Sequence, residues 1–172
     1  MSGVLDGYIA GYVDGEGSFS VSVQRNPTCR VGFQLVPEFH VSQNGERAEV
    51  LELIRDRFDC GYIKRNSKTD RALVYVVRQR RALLTTVIPF FERVPLLSSK
   101  QVDFDKFASV VREMSAGRHL TPAGFDSLLA VALSMNGRGR FRQRRWVELV
   151  GAEWRAPHPP HTGSVSESKS LG

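Results

Sequence analysis

Apolar residues open the chain at helical spacing. Leu5, Tyr8, Ile9, Tyr12 and Val13 recur three and four positions apart, the repeat of one helix face. Gly7, Ala10, Gly11 and Asp14 fall on the opposite side. This predicts a helix with one bulky stripe and one small stripe, and small residues let two helix backbones approach closely. Glycine costs about 1 kcal/mol against alanine inside a helix, so the glycines from Gly7 to Gly15 require packing that compensates. At Ser18 the period changes to two. Ser18, Ser20, Ser22 and Gln24 alternate with Phe19, Val21 and Val23, as in a half-buried strand with a polar outer face. A turn over residues 26–30 leads to a second alternation. Phe33, Leu35, Pro37, Phe39 and Val41 face one way, and Gln34, Val36, Glu38, His40 and Ser42 the other. The two strands form a hairpin. Pro37 argues for an edge position or a bulge.

Residues 46–58 read as an amphipathic helix with Val50, Leu51, Ile54 and Phe58 inward. A second hairpin follows, with strands over 62–65 and 72–78. Residues 79–91 form a helix stopped around Pro89, and residues 103–114 another, with Phe104, Phe107 and Val111 inward. Thr121 caps a further helix, with Pro122 in its first turn and Phe125, Leu128, Leu129, Ala132 and Leu133 along one face. Residues 136–145 are basic and punctuated by glycine, and a short helix around 146–150 follows. From Arg155 onward the chain is rich in Pro, Ser and Gly and is expected to be disordered. The order is αββαββα with further helices: an α+β fold, one domain over 1–154 and a tail over 155–172.

Composition adds the partner. The 172 residues suit one domain with a real core. Lys and Arg outnumber Asp and Glu by 24 to 18, for a net charge of +6 and a pI near 9.7, which favours anionic partners, most simply nucleic acid. Cys29 and Cys60 lie far apart without metal-ligand spacing and read as reduced thiols. No charged-then-apolar leader opens the chain. Its most apolar window, residues 83–91, is far short of the ~20 residues of a spanning helix. The expectation is a soluble protein with no secretion signal and no membrane partner. Its place would be the cytoplasm or nucleoid of a bacterium, or an organelle matrix.

Residues 9–17, Ile-Ala-Gly-Tyr-Val-Asp-Gly-Glu-Gly, resemble the nine-residue signature of the LAGLIDADG homing endonucleases. Ala10, Gly11, Asp14 and Gly17 match it, Ile9, Tyr12 and Val13 are apolar equivalents, and Glu16 replaces the second Asp. Residues 95–107, "PLLSSKQVDFDKF", and 134–142, "SMNGRGRFR", look like the C-terminal half of such proteins. The resemblance covers about residues 4–145. It implies a saddle-shaped antiparallel sheet lying on double-stranded DNA, with C-terminal helices behind. A single signature implies a homodimer whose two signature helices pack together, with Gly7, Ala10, Gly11 and Asp14 facing the partner. Two-fold symmetry then predicts a roughly palindromic target.

Cleaving a phosphodiester takes a positioned water, a Lewis acid and stabilisation of charge on the phosphate. Mg2+ (or Mn2+) takes hard oxygen ligands. The resemblance gives Glu16 the catalytic metal, assisted by the Gly15 carbonyl. It gives Gln43 the organisation of water and Lys100 the polarisation of water or phosphate, with Arg47 as a second basic group. Asp14 is expected to cap or hydrogen-bond within the helix interface rather than ligate metal. Bases would be read from Ser18, Ser20, Ser22, Gln24, Gln34, Val36, Glu38, His40 and Ser42. Arg25, Arg30, Lys64, Asn66, Lys68 and Arg71 extend that surface; Arg and Lys suit guanine, Gln and Asn adenine. Arg138, Arg140, Arg142, Arg144 and Arg145 are candidates for phosphate contacts. The rival readings are a maturase binding intron RNA on the same fold, and a DNA-binding regulator with a dead site. Joint presence of Glu16, Gln43 and Lys100 favours the intron-encoded nuclease.

Overall fold

In the computed structural model, residues 2–67 and 71–136 are described. Helix α1 (Ser2–Glu16) runs without a linker into strand β1 (Gly17–Arg25). Strand β2 (Phe33–Asn44), a 3-10 turn (Gly45–Arg47), α2 (Glu49–Phe58), β3 (Tyr62–Arg65) and β4 (Ala72–Val77) follow. The chain continues through α3 (Arg80–Ala82), a π-helical turn (Leu83–Val87), α4 (Ile88–Arg93), α5 (Lys100–Ser115), a 3-10 turn (Arg118–Leu120) and α6 (Pro122–Leu133). The α+β order read from periodicity is the order observed. The expected helix around 146–150, the arginines from Arg138 to Arg145, Lys68 and the tail lie outside the described residues. No helix among those described is long and apolar enough to cross a membrane.

The four strands form one antiparallel sheet in the order β1-β2-β4-β3. Strand pairing places Phe19 opposite Phe39 and Phe39 opposite Val77 on the inner face. Phe19 stacks on Phe39 with ring centroids 5.1 Å apart and meets Phe91, Phe104 and Phe107 within 5.4 Å. Phe39 in turn touches Tyr75 and Phe58. This aromatic layer joins the sheet to α2, α4 and α5, and each ring pair adds about 0.5–1.5 kcal/mol beyond its buried area.

Two prolines sit where local rules alone would not put them. Pro37 lies in an interior strand of the sheet, but β4 pairs with β2 only from Phe39 to Asn44. At Pro37 the strand has β1 alone as its neighbour, so the residue is locally at an edge. The helix expected to stop around Pro89 instead continues to Arg93. A proline lacks the N–H and crowds the carbonyls of the preceding turn. Here that turn is widened, with Ile88 N–H donating five residues back to Leu83, which makes room for the ring.

Asp6 in α1 is buried among cations. Arg57 of α2 donates to both of its oxygens (2.7 and 3.0 Å), and Arg93 of α4 to one (3.1 Å). Both guanidiniums also stand about 5.5 Å from the centre of the Phe90 ring, a cation–π arrangement. Arg57 foremost holds the Asp6 carboxyl below its ordinary value. Asp6→Ala leaves the two guanidiniums without their anion and should cost about 2 kcal/mol. Urea unfolding reads this as a lower midpoint at unchanged m; an unmoved midpoint would contradict it.

Candidate active site

The last turn of α1 carries Asp14 and Glu16 at the negative end of a helix dipole, with no basic residue on that turn. The compensating cation arrives from the far half of the chain. Lys100, the first residue of α5, donates from Nζ to the carbonyls of Val13 (2.9 Å), Gly17 (2.5 Å) and, at longer range, Gly15 (3.4 Å). The Val13 and Gly15 carbonyls are among those a helix end leaves without partners, and Gly17 is the first residue of β1. Asp14 completes the exchange. Its carboxylate accepts from the backbone N–H groups of Leu97 (3.1 Å) and Ser98 (2.9 Å) and from the Ser98 hydroxyl. The same hydroxyl accepts from Lys100 N–H, 3.1 Å away. An acid from the end of α1 thus ties down the turn that leads into α5, and a base from the first residue of α5 meets the end of α1.

This arrangement separates the two acids. Burial works to raise the Asp14 carboxyl, but the Ser98 and Leu97 hydrogen bonds outweigh it and hold the group below its usual value. Burial likewise pulls the Lys100 ammonium down, against Asp14, Glu16 and Asp103. Glu16 is exposed and makes no hydrogen bond or ion pair among the described residues. Gln43, at the end of β2, has its amide occupied: Oε1 accepts from Asn44 N–H at 2.6 Å and Nε2 donates to the Tyr12 hydroxyl. Tyr12 is half-buried; burial raises its phenol, and the charge of Glu16 adds to the shift. Glu16, Lys100, Gln43 and Tyr12 therefore share one neighbourhood. Arg47 is exposed in the 3-10 turn after β2, with no contact placing it among them. Tyr12 was hidden in the sequence, because its ring fits the apolar periodicity and its hydroxyl leaves no mark there.

The stripes on α1 differ from those read from spacing. Asp6, Ile9, Ala10 and Val13 face the core; Ala10 is only 6% exposed. The open face carries Gly3, Gly7, Gly11 and Gly15, where an added Cβ would meet nothing within 4 Å, flanked by Val4 (82% exposed) and Tyr8 (53%). Ala10 is thus excluded from the exposed stripe, Asp14 is engaged by its own chain, and Tyr8 moves to the open side. Four-residue steps keep the glycines in one row on the helix surface, whereas Ala10 lies in the row of Asp6 and Val13. Gly17 has a separate constraint. A Cβ there would lie 2.6 Å from Val13 Cγ1 and 2.8 Å from the Val13 carbonyl, so only glycine lets helix pass directly into strand.

Among known proteins, the LAGLIDADG endonuclease family model matches residues 9–111. This chain belongs to that family. It is 32% identical over 108 residues to homing endonuclease I-ApeII of Aeropyrum pernix, covering 63% of each. To a probable intron-encoded endonuclease of Neurospora crassa it is 31% identical over 137 residues, covering 78% of this chain and 30% of the relative. The chain thus spans less than two thirds of these curated relatives. Among solved structures, homing endonuclease I-TnaI superposes with a TM-score of 0.77 at 38% identity, over 84% of this chain and 96% of that one. I-LtrWI bound to target DNA gives 0.79 at 30% identity, over 94% and 53%.

In this LAGLIDADG chain the outer sheet face runs in cross-strand rows. Ser18 lies opposite His40, and His40 opposite Val76; Ser20 is opposite Glu38, Ser22 opposite Val36, and Gln24 opposite Gln34. Gln24, Gln34 and Ser22 are exposed, whereas Ser20 is 7% exposed and has little surface to offer a base. Val36 and Ser42 are half-buried, and Arg25, Arg30, Lys64, Asn66 and Arg71 are exposed around the face. Glu38 is clamped: Arg78 donates to it and His40 Nδ1 lies 3.1 Å away. Arg78 escaped the reading of the sequence, although the parity of Ala72, Val74 and Val76 would have put it on this face. Asn136, from the basic C-terminal stretch, donates to the Phe19 carbonyl (2.9 Å) and accepts nothing there; its own N–H goes to Asp103.

The imidazole of His40, then Arg78, hold the Glu38 carboxyl down at about 2, against an ordinary 4.5. A lowered carboxyl stabilises the fold above its ordinary value, and that contribution is lost as pH falls toward 2. Glu38→Gln should therefore flatten the fall in stability between pH 5 and pH 2, followed by urea unfolding at each pH. Parallel profiles for the two proteins would contradict the clamp.

Proposed function

We propose that this chain is a homodimeric, site-specific DNA endonuclease encoded within an intron, dependent on Mg2+ or Mn2+. The observation that carries the reading is the different fate of two acids that stand two positions apart. Asp14 is engaged by the turn that leads into α5, and Glu16 is left exposed and unpartnered among the described residues. Family membership supports nuclease chemistry, and the DNA-bound structure of I-LtrWI supports a DNA partner. Net charge +6 agrees with a polyanionic ligand.

The donor set fits a hard cation: the Glu16 carboxylate and the Gly15 carbonyl are oxygen ligands. No cluster of three or more His, Cys, Asp or Glu side chains exists among the described residues. The remaining ligands would come from phosphate, water and the Glu16 of a second copy, as expected when two helix ends meet. The cation would supply Lewis-acid stabilisation of the phosphate. Lys100, its ammonium held against the carbonyls at the end of α1, would keep positive charge beside the phosphate. Gln43 offers its remaining amide N–H to a water or phosphate oxygen. The open glycine row with Val4 and Tyr8 supports a partner helix at close approach, and the outer sheet face would read bases in the major groove. A two-fold dimer would favour a roughly palindromic target.

Glu16→Gln should abolish cleavage while leaving DNA binding in Ca2+ intact; normal cutting by this variant would overturn the mechanism. Gly11→Leu adds bulk to an open helix face, so the variant should fold but sediment as a monomer. An intact mutant dimer would place the interface elsewhere.

A further inference from the structure

The amide of Gln43 is oriented by what surrounds it. A carboxamide can be turned end for end, and only its hydrogen-bond partners decide which end is oxygen. The Asn44 backbone N–H can only donate, so Oε1 must be the end beside it, at 2.6 Å. The amino end then faces Tyr12, whose hydroxyl accepts from Nε2. Each amino group has two protons, so one N–H remains for a second acceptor. The Tyr12 hydroxyl, having accepted, keeps its own proton as a donor. Tyr12 and Glu16 are four residues apart on α1, which puts them on neighbouring turns of one face. The phenol sits close enough to feel the charge of Glu16. A hydroxyl at this place is unnecessary for packing: a phenylalanine ring would fill the same space, and the signature position calls only for an apolar residue.

We infer that Tyr12 is a positioning residue for phosphodiester cleavage: its hydroxyl holds the Gln43 carboxamide with its amino end at the Glu16 site. This rests on the nuclease reading above. Tyr12 acts through Gln43, so Gln43 presents a hydrogen-bond donor rather than an acceptor to the water or phosphate oxygen. Without the hydroxyl, the amide keeps its bond to Asn44 but loses the restraint on its amino end.

The test uses the full chain and a target recovered by selecting cleaved sites from a random DNA library. Single-turnover cleavage is measured in Mg2+ and DNA affinity in Ca2+, for Tyr12→Phe, Gln43→Ala and the double variant. Tyr12→Phe should cut about tenfold more slowly, the scale of one hydrogen bond, with affinity within about twofold of the parent. The double variant should cut no more slowly than Gln43→Ala alone, because the two residues act in series. In the metal-free protein, the Gln43 side-chain amide protons should exchange with solvent faster after Tyr12→Phe, read by 15N NMR. Parental cleavage by Tyr12→Phe, additive losses in the double variant, or unchanged Gln43 exchange would each overturn the inference. Glu16→Gln run alongside separates the two failures. If the parent cuts no target in the library, the nuclease reading falls; if the parent cuts and Glu16→Gln is dead while Tyr12→Phe is normal, only the role of Tyr12 falls.

Discussion

The reciprocal exchange of hydrogen bonds between the end of α1 and the segment that opens α5 is the interaction on which the site depends. A helix ending in two acids is electrostatically unfavourable on its own, since its unpaired carbonyls already carry partial negative charge. Lys100 meets those carbonyls with a full positive charge, and Asp14 accepts from the Leu97 and Ser98 N–H groups in the turn just before α5. Each end supplies what the other lacks. The residues involved are more than eighty positions apart in the chain, so the site forms only when the two halves of the domain have docked. One acid is spent in that docking, and the other is left exposed at the end of the helix.

That delivery is coupled directly to the sheet. Gly17 permits helix to become strand with no intervening loop, and Phe19, two residues on, is the ring around which the aromatic layer is built. Motion of α1 would therefore be felt at once in β1 and in the core. The Asp6 cluster fixes the other end of the helix to α2 and α4. Held by ion pairs at one end, by charge-assisted hydrogen bonds at the other and along its length by Ile9, Ala10 and Val13, α1 can leave a whole row of glycines open. The weak intrinsic helix preference of those glycines is offset by tertiary contacts on the opposite side.

Much of this fold was legible because burial imposes periodicity. The alternation from Ser18 to Ser42 marks both strands of the first hairpin and their faces, and the register pairs Phe19 with Phe39 on the inner side as the alternation requires. Thr121 caps α6 by accepting from Gly124 N–H, as its place before Pro122 indicates. The failures have a common cause. Pro89 ends a helix by local rules, yet a widened turn lets it pass. Ala10 looks like part of a small stripe, yet it lies in the buried row, because residue size does not say which side of a helix the core is on. Ser20 has outward parity but is covered.

The sequence by itself determined the elements, the strand faces and the identity of the acidic turn, since these follow from spacing and from chemistry carried within a few residues. Only the tertiary structure decided which acid is free. Asp14 and Glu16 are the same kind of group two positions apart; the signature resemblance gave them different roles, but no contact within a few residues enforces the difference. The distinction comes from Ser98 and Lys100, brought by folding from the far half of the chain. The orientation of Gln43 is likewise settled by Asn44 and Tyr12 together, because a carboxamide takes its direction from partners and not from its own shape.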